Sequence, residues 1–233
     1  MSRLDLANGV VEMSHGSGGR AMAQLIDELF RRHLGNLLLD QGNDGAVFTV
    51  PAGRLSVSTD AHVIAPLFFP GGDIGRLAVH GTINDVAMAG AAPLYLTATF
   101  ILEEGFPLRE LDRIVAGMAE AAREAGVTVV AGDTKVVEKG KADGVFITTA
   151  GIGVVPDGVE IAGDRARPGD AILLSGSIGE HGVAVLSQRE NLSFETEICS
   201  DSAALHTLVA AMVKAVPSIH CLRDPTRGGL ATT

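Results

Sequence analysis

The chain has 233 residues, of which 46% are hydrophobic, with a formal net charge of −10, enough to bury a sizeable core in one large or two medium domains. No basic cluster occurs beyond Arg31-Arg32, so no nucleic-acid partner is expected, because binding a phosphate backbone rests on a basic surface. No apolar run approaches the roughly 20 residues needed to cross a bilayer, and MSRLDLANGV lacks the build of a secretory leader, so a cytoplasmic, unprocessed protein without a membrane partner is expected.

In chain order, the glycine-rich SHGSGGR comes first, and Gln24 to His33 behind it reads as a helix with Leu25, Ile26, Leu29 and Phe30 on one face. AVFTV and LSVST read as strands by their β-branched content, separated by the turn PAGR. FFPGGD ends on Asp73, an N-cap for a helix running to about Ala89. LYLTATFIL is a strand. EGFPLRELDRIVAGMAEAAREAG is a helix with Leu108, Leu111, Val115, Met118 and Ala122 in register and Gly126 placed to end it. VTVVAGD and VFITTAGIGVV are two further strands.

Strands alternating with helices predict an α/β (α+β) fold, a sheet with helices packed on it, for residues 1–155. The turn-rich IAGDRARPGD marks a junction, and 156–233 begins a second domain with AILLSG, a helix from about Glu180 and another from Ser202 to Val216. RDPTRGGLATT then opens a glycine-rich turn into a helix. That second domain, about 70 residues, has an incomplete core, so the chain reads as a fragment of a longer protein. Cys199 and Cys221 form no C-x-x-C and have no histidines at metal spacing; they read as partly buried thiols.

Four aspartates stand out. Asp44 precedes AVFTV, Asp60 ends LSVSTD, Asp133 ends VTVVAGD, and Asp85 lies in the small-residue stretch VHGTINDVAMAGAAP. Element ends are where α/β proteins expose functional groups. On a helix, Asp85 shares its face with Ala78, Gly81, Thr82 and Ala89, a surface that lets a ligand approach closely. A carboxylate there needs a cation or several hydrogen bonds. Hard oxygen ligands without thiolate or imidazole point to magnesium completed by phosphate oxygens and water.

Any one of these aspartates alone reads first as a turn or cap residue; it is the joint pattern that points to a ligand. Ser14 to Arg20 can aim backbone N–H groups at an anion ahead of a helix, although it is neither a Walker A motif nor a dinucleotide fingerprint, and a flexible loop explains it as well. Lys135, one of four lysines, follows Asp133 and Thr134 and reads either as a phosphate holder or proton carrier, or as a surface lysine beside EKGK. His15, His62 and His80 lack zinc-ligand spacing and are assigned to packing or hydrogen bonding. Val57, Leu96, Ala98 and Phe100, on strands, are expected to offer a sheet face through which two copies dimerise.

STDAHVIAPLFFPGGDIGRLAVHGTINDVAMAGAAPLYLTATFILEEGFP, AGDTKVV and RDPTRGGL together resemble the HypE family of hydrogenase maturation proteins, carbamoyl dehydratases in the PurM-like superfamily of aminoimidazole ribonucleotide synthetase and selenophosphate synthetase. The resemblance covers nearly the whole chain. It implies a two-domain architecture whose N-terminal mixed sheet dimerises, and an ATP-dependent reaction that dehydrates a thiocarboxamide on a C-terminal cysteine to a thiocyanate. The cyanide is destined for the iron of a [NiFe]-hydrogenase, with the carbamoyltransferase HypF and the proteins HypC and HypD as partners.

The same resemblance implies site residues. Asp44, Asp60, Asp85 and Asp133 would hold magnesium and ATP phosphates, with Ser14, His15, Gly16, Ser17, Gly18, Gly19, Asn84 and Thr134 contributing to the nucleotide site and Lys135 beside the thiocarboxamide. Two departures stand against the pattern: Asn43 replaces an acid beside Asp44, and the tail with its cysteine is absent, so the chain as given is expected only to bind nucleotide. A selenophosphate synthetase-like enzyme is the nearest alternative, although Met1 to Gly19 lacks the reactive cysteine and lysine expected there. A non-catalytic dimeric scaffold is the other.

Overall fold

The computed structural model describes residues 3–192, 198–226 and 229–232. A 3-10 turn, Met13–Gly16, leads into α1 (Gly19–Leu25), a π-helical turn (Ile26–Phe30) and α2 (Arg31–Leu34). There follow β1 (Arg54–His62), the two-residue strands β2 (Phe68–Phe69) and β3 (Gly72–Asp73), α3 (Ile74–Met88), β4 (Ala92–Glu103), α4 (Leu108–Glu124), β5 (Thr128–Val137) and β6 (Val145–Val155). Beyond the turn Gly163–Arg165 lie α5 (Glu180–Glu190) and α6 (His206–Ala215).

The main sheet has the order β1-β6-β4-β5. Only β4 and β5 are parallel, because α4 lies between them and a parallel pair needs such a crossover. α4 buries Leu108, Leu111, Ile114, Val115, Met118, Ala121 and Ala122 on one stripe, the expected amphipathic spacing. Gly126, at φ +66°, takes the left-handed conformation that ends the helix cheaply. At the start of α3, Asp73 Oδ1 accepts from the N–H groups of Gly75 (2.8 Å) and Arg76 (3.1 Å). Burial pushes the Asp73 carboxyl above its usual value, opposed by these two bonds.

Helices cover one face of the sheet. Leu96, Ala98, Phe100 and Ile147 point into that core and are at most 3% exposed. No helix of the described residues covers the opposite face, where Val57, Thr59, Ala61 and Thr148 are exposed. Alternation along each strand assigns the two faces.

Several expectations need correction. Ala46 to Val50 forms no strand: Val47 is 85% exposed and Phe48 stacks on Tyr95 with ring centroids 4.1 Å apart. β-branched content supplies propensity, but a strand needs a neighbour to pair with. AILLSG, with which the second domain begins, is irregular, and Ile172 and Leu173 are over 80% exposed. Asp60 and Asp133 do not end their strands, which run on to His62 and Val137. The first helix starts at Gly19, entered through Gly18 and Gly19 at φ +80° and +74°. α6 starts at His206, since the backbone of Ala203 and Leu205 is bonded to Asn84 instead. Cys199 is exposed and Cys221 intermediate. Of RDPTRGGL, Arg227 and Gly228 lie outside the described residues. No helix among the described residues is long and apolar enough to cross a membrane.

Candidate functional site

α3 lies along β1, and its small residues set how close the two come. A Cβ added to Gly81 would sit 3.0 Å from His62 Nε2 and 3.3 Å from Asp60 Oδ2, so glycine there lets the helix approach Asp60. His62 Nε2 lies 3.2 Å from Asp60 Oδ2. One turn further along α3, Asp85 Oδ2 accepts from Ser58 Oγ at 2.8 Å. Deeper in, Thr82 Oγ1 and Thr149 Oγ1 are 2.5 Å apart, and Thr149 also donates to the carbonyl of Ala78. Ser58, Asp60 and Asp85 thus share the cleft between β1 and α3.

A third acid joins them that sequence reasoning passed over. Asp224 lies against Asp85, and its carboxyl is held above the usual value by burial first and by the Asp85 carboxylate second. RDPTRGGL stands out as a motif, but nothing in its spacing links it to a helix so far back in the chain. Two carboxylates set together while partly desolvated repel each other unless a proton or a cation lies between them.

Asp133 sits elsewhere. Thr134, its neighbour, is buried at 5%, so by alternation Asp133 and Lys135 project from the other, uncovered face. Lys135 Nζ donates to Asp133 Oδ1 at 2.9 Å and lies 2.9 Å from Oδ2. That hydrogen bond, with help from the N–H of Thr134, holds the Asp133 carboxyl below its usual value. Both side chains are at least half exposed, so the pair adds little to stability. Asp44 is exposed in an irregular segment. Within one chain, therefore, the four predicted aspartates are not gathered, and no group of three or more His, Cys, Asp or Glu among the described residues could hold a metal by itself.

The glycine-rich segment packs beside Lys135. A Cβ on Gly16 would lie 2.6 Å from the backbone nitrogen of Val136, so Gly16 is pressed on β5 as only glycine can be. His15 is buried; its Nδ1 accepts from the N–H of Glu12 at 2.9 Å, and burial lowers its pKa. Ser14 Oγ donates to Glu12, and Ser17 Oγ to the carbonyl of Met13. A Cβ added to Gly18 or Gly19 would meet nothing within 4 Å, so both glycines face open space.

Asn84 has a different occupation from the one expected. Its Nδ2 donates to Ala203 O (2.9 Å) and its Oδ1 accepts from Leu205 N (2.8 Å), fastening the approach to α6 onto α3. His80 reinforces the fastening through Ser202 Oγ at 3.0 Å, and burial keeps both His80 and His206 below the usual histidine pKa.

A family model for the AIR synthase related protein, N-terminal domain, matches residues 42–155, and one for the AIR synthase related protein, C-terminal domain, matches residues 167–233. The chain is similar to the carbamoyl dehydratase HypE of Azotobacter vinelandii, 73% identical over the whole chain and 68% of that protein. It is similar to a solved structure of hydrogenase maturation protein HypE in complex with ATP, with TM-score 0.92 and 56% identity over 95% of this chain and 66% of that one. It also matches HypE in a HypE-HypF complex, with TM-score 0.76 and 52% identity over 89% of this chain and 67% of that one. The chain spans about two thirds of the length of these relatives.

Proposed function

The chain belongs to the HypE family of carbamoyl dehydratases, and from that premise we propose that it forms the nucleotide-binding part of an enzyme that uses ATP to dehydrate a cysteine thiocarboxamide to a thiocyanate. The cyanide would supply the iron of a [NiFe]-hydrogenase through HypC and HypD, with HypF as the source of the carbamoyl group. The observation that carries the nucleotide site is the Asp85–Asp224 pair, which sets an acid of the second unit against an acid of α3.

That pair, with Ser58 bonded to Asp85, offers two carboxylates, which fits a hard divalent cation such as magnesium, an ion that takes one or two carboxylates and completes its shell with phosphate oxygens and water. Asp85 and Asp224 would hold the ion, with Asp60 next to them. When bound, such an ion neutralises charge on transferring phosphate.

The chemistry follows from the substrate. An amide oxygen is a poor leaving group; its attack on the γ-phosphorus forms an O–P bond and releases ADP. Loss of one N–H proton leaves a phosphorylated imidate, and loss of the second N–H proton with cleavage of the C–O bond then yields the nitrile and phosphate. The residues available to this chain divide the work. Gly16 packs on β5, where Lys135 stands, and Gly18 and Gly19 follow it facing open space, where their backbone N–H groups could meet phosphate. Lys135, released from Asp133, would orient the amide or accept its proton.

Asp133 and Lys135 lie on the uncovered sheet face, away from Asp60 and Asp85. A homodimer through that face would bring one protomer's Lys135 and Asp133 to its partner's surface. Of the four residues expected to form that face, only Val57, 67% exposed, is on the open side; Leu96, Ala98 and Phe100 are core. Sedimentation is expected to show a dimer at micromolar concentration, with Val57→Lys shifting it to monomer; a monomer in the parent protein would refute the arrangement.

The test of function uses the full-length protein with its tail cysteine carbamoylated. Incubation with ATP should remove the mass of one water from the tail peptide, while Lys135→Ala should keep ATP binding and abolish that loss. No change in the parent protein would refute the activity. Normal dehydration by Lys135→Ala would return the lysine to the surface role.

A further inference from the structure

At the start of β1, on the side of the C-terminal end of α3, lies a cavity of about 300 Å³ lined by Arg54, Ser56, Ala89, Val159, Ile161 and Arg165 among others. It sits where the chain leaves the sheet, and Ala162 N–H donates to His220 O nearby, so its walls come from the sheet and from the connection to the second unit. Two guanidinium groups here share one carboxylate. Arg54 Nη2 is 3.3 Å from Glu160 Oε1, and Arg165 Nη1 is 3.7 Å from Glu160 Oε2. Both are longer than the about 2.7–2.9 Å of a charge-assisted hydrogen bond.

Arg54 has a second acceptor in the carbonyl of Val159. Arg165 has none of that kind, and its Nε is buried with no hydrogen-bond partner among the described residues. A buried donor without an acceptor is costly and calls for an explanation. In a chain of net charge −10, the cleft holds two cations against one anion, an excess of one positive charge.

We propose that this cleft binds a small organic carboxylate. Its head takes the guanidinium edges of Arg54 and Arg165, including the orphaned Nε, and displaces Glu160, whose side chain is 57% exposed and free to swing into solvent. A carboxylate matches the excess charge by one unit and the guanidinium fork by its two oxygens. Ala89, Val159 and Ile161 provide the apolar wall for a short hydrocarbon body. The site is separate from the cleft of Asp60 and Asp85, and because it bridges Arg54 on the sheet to Arg165 on the connection, occupancy would fix the two units relative to each other.

The experiment is a titration of the 15N-labelled protein with isovalerate, following the arginine Nε–H resonances, with inorganic phosphate and chloride at matched ionic strength in parallel. A saturable shift of the Arg165 Nε–H is expected, with a midpoint in the roughly millimolar range appropriate to so small a ligand. Glu160→Gln, which removes the competing carboxylate and keeps both arginines, should lower the midpoint several-fold, and Arg165→Gln should abolish saturation at the remaining Arg54 signal. A shift with isovalerate no greater than with chloride, or an unchanged midpoint in Glu160→Gln, overturns the proposal. Saturation by phosphate at lower concentration than isovalerate overturns the carboxylate assignment.

Discussion

Replacing Gly75 with alanine should destabilise the protein by about 3 kcal/mol, against the gain of up to about 1 kcal/mol that alanine normally brings inside a helix. The reason is the crossing of α3 and α4. A Cβ at residue 75 would lie 2.2 Å from the carbonyl oxygen of Ile114 and 3.0 Å from Asp73 Oδ1. The first neighbour is backbone in mid-helix and cannot rotate away. Gly117 makes the reciprocal approach, where a Cβ would be 2.4 Å from Asp73 Oδ2.

A methyl at Gly75 must therefore push α4 outward, opening the core around Ile74, Leu111, Ile114 and Met118, each fully buried. It also disturbs the cap that Asp73 places on the N–H groups of Gly75 and Arg76, a loss of about 1 kcal/mol by itself. For a chain of this size the sum corresponds to a fall in melting temperature of roughly 6–12 °C. Gly45→Ala, where nothing lies within 4 Å of the added carbon, is the matched control and should melt close to the parent. Equal melting of Gly75→Ala and Gly45→Ala would show that the helix crossing relaxes without resistance.

The second large effect is functional. Asp85→Asn should weaken magnesium-dependent ATP binding by about 100-fold, or about 3 kcal/mol, with melting temperature unchanged or raised. Asparagine keeps the shape and can still accept the hydrogen bond from Ser58. What it removes is one negative charge from the pair that a cation would bridge. Without cation, that same change relieves repulsion against Asp224, whose carboxyl burial and Asp85 together hold above the usual value. Binding and stability thus move in opposite directions, which a purely structural residue would not produce. Calorimetric titration with ATP, with and without magnesium, alongside a thermal melt checks both. A variant that binds normally but melts well below the parent would make Asp85 a scaffold residue.

Much of this fold is legible in the sequence because its signals are local. The stripe of Leu108, Leu111, Val115 and Met118, the cap at Asp73 and the stop at Gly126 each act within a few residues of themselves, and α3 and α4 begin and end where these place them. AVFTV misleads because strand content is only half of a strand. The ladder partner is chosen by the rest of the chain, and none reaches residues 46–50. The site is legible in type and not in grouping. Acids at Asp60 and Asp85 do share a cleft, but which way Asp133 faces is set by the register of β5 against β4, where Asp133 lies opposite Thr99 and Thr134 opposite the buried Phe100. Asn84 reads as a ligand because it adjoins Asp85. One residue along a helix is a turn of about 100°, enough to aim it at the second unit instead.

The place of β1 in the sheet has a consequence in time. Among the described residues its one ladder partner is β6, and Thr59 reaches the carbonyl of Thr149 across 90 residues of chain, whereas β4, α4 and β5 are consecutive. Loop-closure entropy grows with the length of chain to be closed, so β1, whose pairing spans more than twice the chain of the β4-α4-β5 crossover, is expected to dock after that crossover forms. Ser58 and Asp60 arrive with it. The cleft against α3 is therefore among the last parts of the molecule to be completed, and a chain newly released from the ribosome has no acidic cleft to offer a nucleotide until its sheet has closed.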